Sequence, residues 1–503
     1  MIVLATLNAK YIHASLGLRY LLANMGNLRA QTELCEYIIG QRPADIVEDI
    51  ISRHPRIVGF GVYIWNVEET TKVIALLKEI APAIHIVIGG PEVSYETDVQ
   101  PIAALADHVI TGWGELSFPR LCQALLEGDD SQPRHIAGEQ PPLAQVQLPY
   151  EYYSDEDIRQ RLIYVEASRG CPYKCEFCLS ALDRTAWPFD IELFIVAMQE
   201  LYARGARHFK FVDRTFNLSA RTSLRILEFF LERLDERLFL HFELIPDHLP
   251  EALKNAIACF PAGSLQFEIG IQTFNSEVQS RISRKQDNVQ AQANLHWLRR
   301  HTQAHIHCDL IAGLPGEDLH SFARGFDRLI ALEPHEIQVG ILKRLRGTPI
   351  IRHTPSHAMR YNPAPPYNVL ATDCIDFQTM QQLSRFARYW DLVGNSGRFT
   401  HARPILLGDA PFAGFMQFSD WLYSTTRQTH QIALERLFDL LAEYFSLHER
   451  NRSEALTALA RDYSANGLRG HPDFMQHASG KALESERAPQ ASNTSRQRRH
   501  HRN

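Results

Sequence analysis

The sequence has no apolar run long enough to cross a membrane. Its opening, Met1-Ile-Val-Leu-Ala-Thr-Leu-Asn-Ala-Lys10, lacks the basic lead, long apolar stretch and small-residue cleavage site of a secretory signal. These absences lead to the expectation of a cytoplasmic protein with no membrane association. Charge of one sign is also missing. The net charge is −6, with both signs scattered along the chain, which argues against non-specific nucleic-acid or membrane-surface binding and leaves a folded RNA substrate open. Cysteine is scarce, eight in 503 residues, and there is no second Cys-x2-Cys pair to complete a four-thiolate zinc site. No short repeat is visible.

What is present is a hydrophobic content of 45%, normal for a globular protein, in a chain too long for one core. Over residues 1–130, β-type runs at 2–6, 32–38, 57–62, 84–88 and 108–110 alternate with helical patterns at 15–25, 44–52, 67–80 and 115–126. This pattern predicts a flavodoxin-like, doubly wound parallel sheet with right-handed crossovers. Such sheets bind ligands at the carboxyl ends of their strands. The loops there contain Asn8, Tyr11 and His13; Tyr63, Trp65 and Asn66; Gly89 and Gly90; and Gly112, Trp113, Gly114 and Glu115. Glycine pairs let a bulky ligand approach the backbone, and the tryptophans offer flat apolar surface. Taken singly, each loop reads equally well as a turn or a partly buried edge, whereas together they favour a large planar ligand.

Residues 131–157, polar and proline-rich, read as an interdomain linker, with 150–157 at the entrance to the next domain. A second alternating series follows over 158–345, with strands at 162–167, 208–213, 238–244, 265–270, 305–313 and 336–342. Six β/α units predict an incomplete TIM-like barrel. After its last strand, Lys343, Arg344 and Arg346 offer a positive rim that reads equally as an anion site or a solvated surface. Residues 346–477 read as a mostly helical region packed on the barrel, and 478–503 as a disordered basic tail. The five cysteines at 35, 122, 259, 308 and 374 are isolated in apolar patterns and read as small core residues.

The remaining three stand at the end of the first barrel strand, in Glu166-Ala-Ser-Arg-Gly-Cys171-Pro-Tyr-Lys-Cys175-Glu-Phe177-Cys178. Three thiolates on one loop are too few for structural zinc but can hold a four-iron cluster and leave one iron open. The spacing Cys-x3-Cys-x2-Cys on an incomplete barrel resembles the radical SAM superfamily, over about residues 160–345. The resemblance implies a [4Fe-4S] cluster on Cys171, Cys175 and Cys178 whose open iron chelates S-adenosylmethionine and cleaves it reductively, with Phe177 near the adenine. It also implies S-adenosylmethionine contacts at Asp213 and Asn217 after the second strand, Glu268 and Gln272 after the fourth, and Asp309, Gly313 and Gly316 after the fifth.

A flavodoxin-like domain ahead of such a barrel is similar to the cobalamin-dependent subclass. That likeness implies cobalamin against Asn8, Tyr11, His13, Tyr63, Trp65, Asn66, Gly89, Gly90, Gly112, Gly114 and Glu115, and an electron donor such as flavodoxin or ferredoxin. The Asp-x-His-x-x-Gly motif that offers histidine to cobalt is absent: His13 has no aspartate two residues before it. Two other readings stay open, a radical SAM enzyme without cobalamin and a non-catalytic protein with a structural metal cluster. The substrate, and whether it is methylated or rearranged, is not legible.

Overall fold

The computed structural model describes residues 1–477 apart from 184, 449–451 and 469, together with 496 and 499. Strands β1 (Ile2–Asn8), β2 (Thr32–Ile38), β3 (Ile57–Gly61), β4 (His85–Gly89), β5 (His108–Thr111) and β6 (His135–Ala137) form one parallel sheet in the order β2-β1-β3-β4-β5-β6. Both faces are covered: β1 and β3 are buried at every position, which is why they read as unbroken apolar runs rather than alternating ones. The order reverses between β1 and β3, and there the carboxyl ends leave the crevice that α/β sheets use for ligands.

The sixth strand corrects the reading of 131–157 as linker alone. Its three residues pair with β5 through Val109 and His135, but they are too few to show a period in sequence. The end of the same segment serves the barrel, where Tyr150 and Tyr153 are buried and the Tyr153 hydroxyl donates to the Tyr164 carbonyl at 2.7 Å.

The second sheet contains β7 (Ile163–Val165), then a hairpin of β8 (Ser168–Gly170) and β9 (Ala186–Pro188) that frames the cysteine loop. It continues with β10 (His208–Phe211), β11 (Phe239–Leu244), β12 (Leu265–Gln272), β13 (His305–Ala312) and β14 (Glu336–Ile341). Excluding the hairpin, the order is β14-β13-β12-β11-β10-β7, a six-stranded parallel sheet, curved as an open barrel with helices outside. Along β11 burial alternates: Leu240, Phe242 and Leu244 enter the core while His241 and Glu243 face the lumen.

The C-terminal region adds the short pair β15 (Arg360–Tyr361) and β16 (Val369–Ala371) and five helices from Phe377–Leu392 to Arg452–Ala465. Its first helix sets Phe386 and Trp390 edge-on against Phe326 of the barrel helix Leu319–Ile330, so barrel and C-terminal region share one hydrophobic core. The expected disorder of 478–503 falls outside the described residues apart from 496 and 499. Of the five isolated cysteines, Cys35, Cys122 and Cys308 are buried, whereas Cys259 and Cys374 are exposed. No described helix is long and apolar enough to cross a membrane.

Buried ion pairs fix how the two sheets meet. Arg19, 1% exposed, reaches Glu36 and Asp157, both at 2.8 Å, and Arg161 reaches Glu36 at 2.9 Å. On the other flank Arg344 and Arg346 pair with Glu96 and Glu92, and the Tyr367 hydroxyl donates to Glu92 at 2.6 Å. Arg344 and Arg346 are therefore taken up by protein carboxylates, and neither anion site nor solvated rim describes them. Charges buried this way orient the units more than they stabilise them, because desolvation offsets much of the attraction.

Candidate functional site

Two cavities flank the cysteine loop. The first, about 340 Å³, opens at the carboxyl edge of the first sheet, between helices Leu16–Ala23 and Ser117–Leu126. Seven glycines line it: Gly17, Gly59, Gly61, Gly89, Gly90, Gly112 and Gly114. Two need to be glycine for backbone reasons. Gly90 has φ +113°, and a Cβ there would lie 2.5 Å from the Val62 carbonyl oxygen; Gly112 has φ +70°. The walls are otherwise apolar, and the polar end is formed by Glu115, Glu166 and Arg169. A glycine-floored slot of this kind suits the flat body or tail of a large ligand, and its donor-poor walls suit cobalamin better than a small polar metabolite.

The second cavity, about 260 Å³, is lined by all three cysteines with Phe177, Arg214, Glu243, Glu268, Gln272, Arg284 and Asp309 among others. Cys171 and Cys175 are buried and Cys178 half-buried, all as free thiols. Burial pushes the Cys171 thiol up to about 11, and Arg284 places Nη1 3.6 Å from the Cys175 sulfur. Among the described residues no group of three or more His, Cys, Asp or Glu is set to hold a single ion; the three thiols instead share one cavity wall. A soft three-sulfur donor set with a cation beside it fits an anionic iron–sulfur cluster.

The structure brings together only some of the residues expected to hold S-adenosylmethionine. Phe177, Glu268, Gln272 and Asp309 line the cluster cavity, while Asp213, Asn217, Gly313 and Gly316 do not. Gln272 follows a register shift in β12 and has φ +67°, a strained value for its residue type. Its side chain folds back across Gly270, where a Cβ would meet Nε2 at 2.4 Å, so Gly270 makes room for the amide in the cavity. Glu268 accepts from His241 at 3.0 Å and lies 3.5 Å from the Lys210 ammonium. Burial alone would raise its pKa, but these partners outweigh it and hold the carboxylate at about 2. Burial raises Asp309, whose Oδ1 lies 3.3 Å from His307 Nε2.

The other four organise the surroundings. Asp213, 3% exposed, accepts from Ala167 N at 3.0 Å and Ser168 Oγ at 2.7 Å, which pins the start of the cysteine loop; burial pushes it up to about 7. Asn217 bridges the Ile245 backbone, donating to its carbonyl at 2.9 Å and accepting from its N–H at 2.8 Å. Gly313 packs under Val369 and Met380, and Gly316 beside Arg281. Arg214, Glu243 and Arg284 did not stand out in the sequence: Arg214 follows β10, Glu243 lies within β11, and Arg284 follows the short helix Ser276–Arg281. Arg214 donates to Glu243 at 2.9 Å.

Of the residues expected against cobalamin, Tyr63, Gly89, Gly90, Gly112, Gly114 and Glu115 line the first cavity, while Asn8, Tyr11, His13, Trp65 and Asn66 do not. Trp65 is 48% exposed and stacks on Tyr63 with centroids 4.4 Å apart. Asn66 is fully buried, receiving Tyr63 N at 2.8 Å and donating to Leu7 O at 3.0 Å, so it shapes the loop. Asn8 donates to the His13 carbonyl at 2.9 Å, His13 Nδ1 meets the Tyr164 hydroxyl at 2.7 Å, and Tyr11 donates to Glu156 at 2.6 Å. The last two contacts join the sheets. Arg169 and Glu166, which belong to the cysteine loop, were not foreseen in this cavity.

Comparison with known proteins agrees with this geometry. The B12 binding domain family matches residues 2–122, the Radical SAM superfamily matches 165–329, and a family described as a protein of unknown function, DUF4080, matches 355–500. An uncharacterized methyltransferase of Pyrococcus horikoshii, PH0819, is 27% identical over 209 residues, covering 36% of this chain and 45% of the relative. The cobalamin-dependent radical SAM methyltransferase TokK of Streptomyces tokunonensis is 22% identical over 437 residues, covering 78% of this chain and 62% of the relative. The chain thus spans less than two thirds of the length of these curated relatives. Among solved structures, the cobalamin-dependent S-adenosylmethionine radical enzyme OxsB with aqua-cobalamin bound superposes with a TM-score of 0.64 at 14% identity, covering 95% of this chain and 82% of that one. The chain thus has a B12 binding domain match over residues 2–122 followed by a Radical SAM superfamily match over residues 165–329, the segment that holds the three cysteines.

Proposed function

We propose that the protein is a cobalamin-dependent radical SAM methyltransferase. The observation that carries this reading is the placement of a glycine-lined cavity and a three-thiol cavity on opposite sides of one loop. When bound, the cluster with S-adenosylmethionine supplies a 5′-deoxyadenosyl radical, and cobalamin supplies a methyl group. The chain's own residues bind and orient. Cys171, Cys175 and Cys178 anchor the cluster, and Asp213 holds the start of their loop. Glu243, Glu268, Gln272, Arg284 and Asp309, which line the cluster cavity, would hold the zwitterionic end of S-adenosylmethionine with both charges and an amide, and Phe177 would offer an apolar face for the adenine. Tyr63 and the glycine loops receive the corrinoid.

The substrate site is the barrel lumen, where Lys210, His241, Glu268 and His307 stand on adjacent strands in place of the branched apolar residues that usually fill a barrel. His307 Nε2 lies 3.3 Å from Asp309 Oδ1. A lumen of this kind takes a polar, ionisable substrate. A low-potential donor such as flavodoxin or ferredoxin reduces the cluster, and a reducing cytoplasm keeps the eight thiols free.

The test is anaerobic reconstitution with iron, sulfide and hydroxocobalamin, followed by reductant and S-adenosylmethionine. The expected result is a corrinoid spectrum on the protein with formation of both 5′-deoxyadenosine and S-adenosylhomocysteine. A protein that makes 5′-deoxyadenosine but takes up no corrinoid would be a radical SAM enzyme without cobalamin. One that makes neither product and has a cluster signal indifferent to S-adenosylmethionine would have a structural cluster.

A further inference from the structure

We propose that Arg169 couples the two cavities, so that a corrinoid in the first and S-adenosylmethionine at the second change each other's affinity; this rests on the cobalamin reading above. Arg169 is two residues ahead of Cys171, yet its guanidinium leaves the barrel and closes the polar end of the glycine-lined cavity. There it lies 4.6 Å from the Tyr20 ring centroid and 4.5 Å from that of Trp113. It donates to Glu115 at 2.5 Å and to Glu166 at 2.6 Å. Tyr20, on the helix Leu16–Ala23, and Trp113 and Glu115, in the loop after β5, belong to the B12-binding unit, and Glu166 follows the first barrel strand. One cation is therefore shared between carboxylates of two units, at a wall that any ligand filling the cavity touches.

The link from that wall to the first thiol has little slack. Strand β8 has three residues and is paired throughout with β9. Its base is fixed by Asp213, and at its end Gly170 (φ +90°) passes so close to the opposite strand that a Cβ would lie 2.3 Å from the Thr185 carbonyl oxygen. A ligand that draws Arg169 toward Glu115, or releases it to Glu166, must move β8 or leave a buried ion pair strained. Either result reaches Cys171 within two residues. Coupling between two binding sites is reciprocal, and factors of about 5–150 are typical.

The alternative is that Arg169 only fastens the two units, as Arg346 does through Glu92 on the other flank. The experiment uses the full chain with its cluster reconstituted and no reductant. The dissociation constant of S-adenosylmethionine is measured with and without saturating hydroxocobalamin, and that of hydroxocobalamin with and without S-adenosylmethionine. Wild type should show the same factor, about fivefold or more, in both directions. Arg169→Met should bind each ligand alone while the factor falls to one. Arg169→Lys, which keeps the charge but not the planar fork, should restore part of it, and Arg346→Met should leave it intact. If Arg169→Met fails to take up the cluster, Glu115→Gln removes only the negative charge on the B12 side and should abolish the factor equally. A factor of one in wild type, a factor that survives both Arg169→Met and Glu115→Gln, or its equal loss in Arg346→Met would overturn the proposal. Wild type that binds no hydroxocobalamin would instead remove the cobalamin reading beneath it.

Discussion

The cavity against the first sheet is walled by seven glycines with aliphatic and aromatic side chains, and charge is confined to one end. The cavity against the barrel is walled by thiols, carboxylates, arginines and an amide. The first is shaped by backbone: Gly90 and Gly112 have conformations that side chains resist, and the space they leave is the recognition element. The second is shaped by charge: Glu268 is held ionised by His241 and Lys210, and the Arg214–Glu243 pair stands beside it. A large, largely preformed ligand is selected by fit, whereas a small zwitterion is selected by complementary charge. The two sites should therefore fail in different ways.

The largest separation is expected from removing the thiols. Cys171→Ala, Cys175→Ala and Cys178→Ala combined should bring iron and sulfide to background and lower 5′-deoxyadenosine formation by at least about 100-fold, because no cluster remains to deliver an electron. Hydroxocobalamin affinity should stay within about threefold once measured without S-adenosylmethionine. Loss of corrinoid binding in the same protein would mean that the apolar slot depends on the cluster loop for its shape.

The reverse separation is smaller. A Cβ at Gly61 makes only ordinary contacts, about 3.4 Å from Leu18, so Gly61→Val directs its methyls into the slot without breaking β3. Corrinoid affinity should fall about tenfold or more, since lost fit costs on the order of 1–3 kcal/mol, with 5′-deoxyadenosine formation changed by less than threefold. Unchanged corrinoid affinity would place the ligand elsewhere.

A third prediction concerns charge held behind the cluster cavity. Glu317, 1% exposed, accepts from Thr273 Oγ1 at 2.6 Å, its Oε2 has no partner, and burial raises its carboxyl to about 7. A carboxyl raised from an unfolded value near 4.3 stabilises the fold fully below that value, and the contribution is lost as pH rises through 7. Glu317→Gln keeps the acceptor and removes the titration. It should match wild type near pH 4 and be more stable by about 2 kcal/mol at pH 8, measured as urea midpoints. A wild-type advantage at pH 8 would show that the carboxylate is ionised and paired.

The smallest effect is expected at Gln272. Glycine adopts φ +67° freely, so Gln272→Gly removes the amide from the cavity while relieving the backbone. S-adenosylmethionine affinity should fall about fivefold, as one hydrogen bond contributes about 1 kcal/mol, with no loss of thermal stability. Unaltered affinity would turn this strained residue into a structural feature of the bulge.

Much of this layout was legible in the chain. Cys171, Cys175 and Cys178 carry their meaning in their spacing, and the strands of both sheets show as apolar runs divided by helical periods. The glycine loops pointed to the first cavity because glycine marks close approach. Sequence position alone, however, could not separate Asp309, which lies within β13 and faces the cavity, from Asp213, which follows β10 and turns back to hold Ala167 and Ser168. Nor could it show that Arg169, read only as part of the cysteine loop, reaches the other unit, or that His13 meets Tyr164 across the seam. The helical patterns at 15–25 and 115–126 did not single out Leu18, Leu21 and Phe118, which wall the first cavity.

The sequence by itself determined the two fold types, their order and the three-thiol loop, because these follow from local periodicity and from donor spacing along a few residues. Tertiary structure decided which carboxylate is held ionised, which arginine is already paired and which loop residue bridges the two units. Those outcomes depend on strand register, on the irregularity at Gly270 and Gln272, and on which side chains from distant segments share a desolvated space.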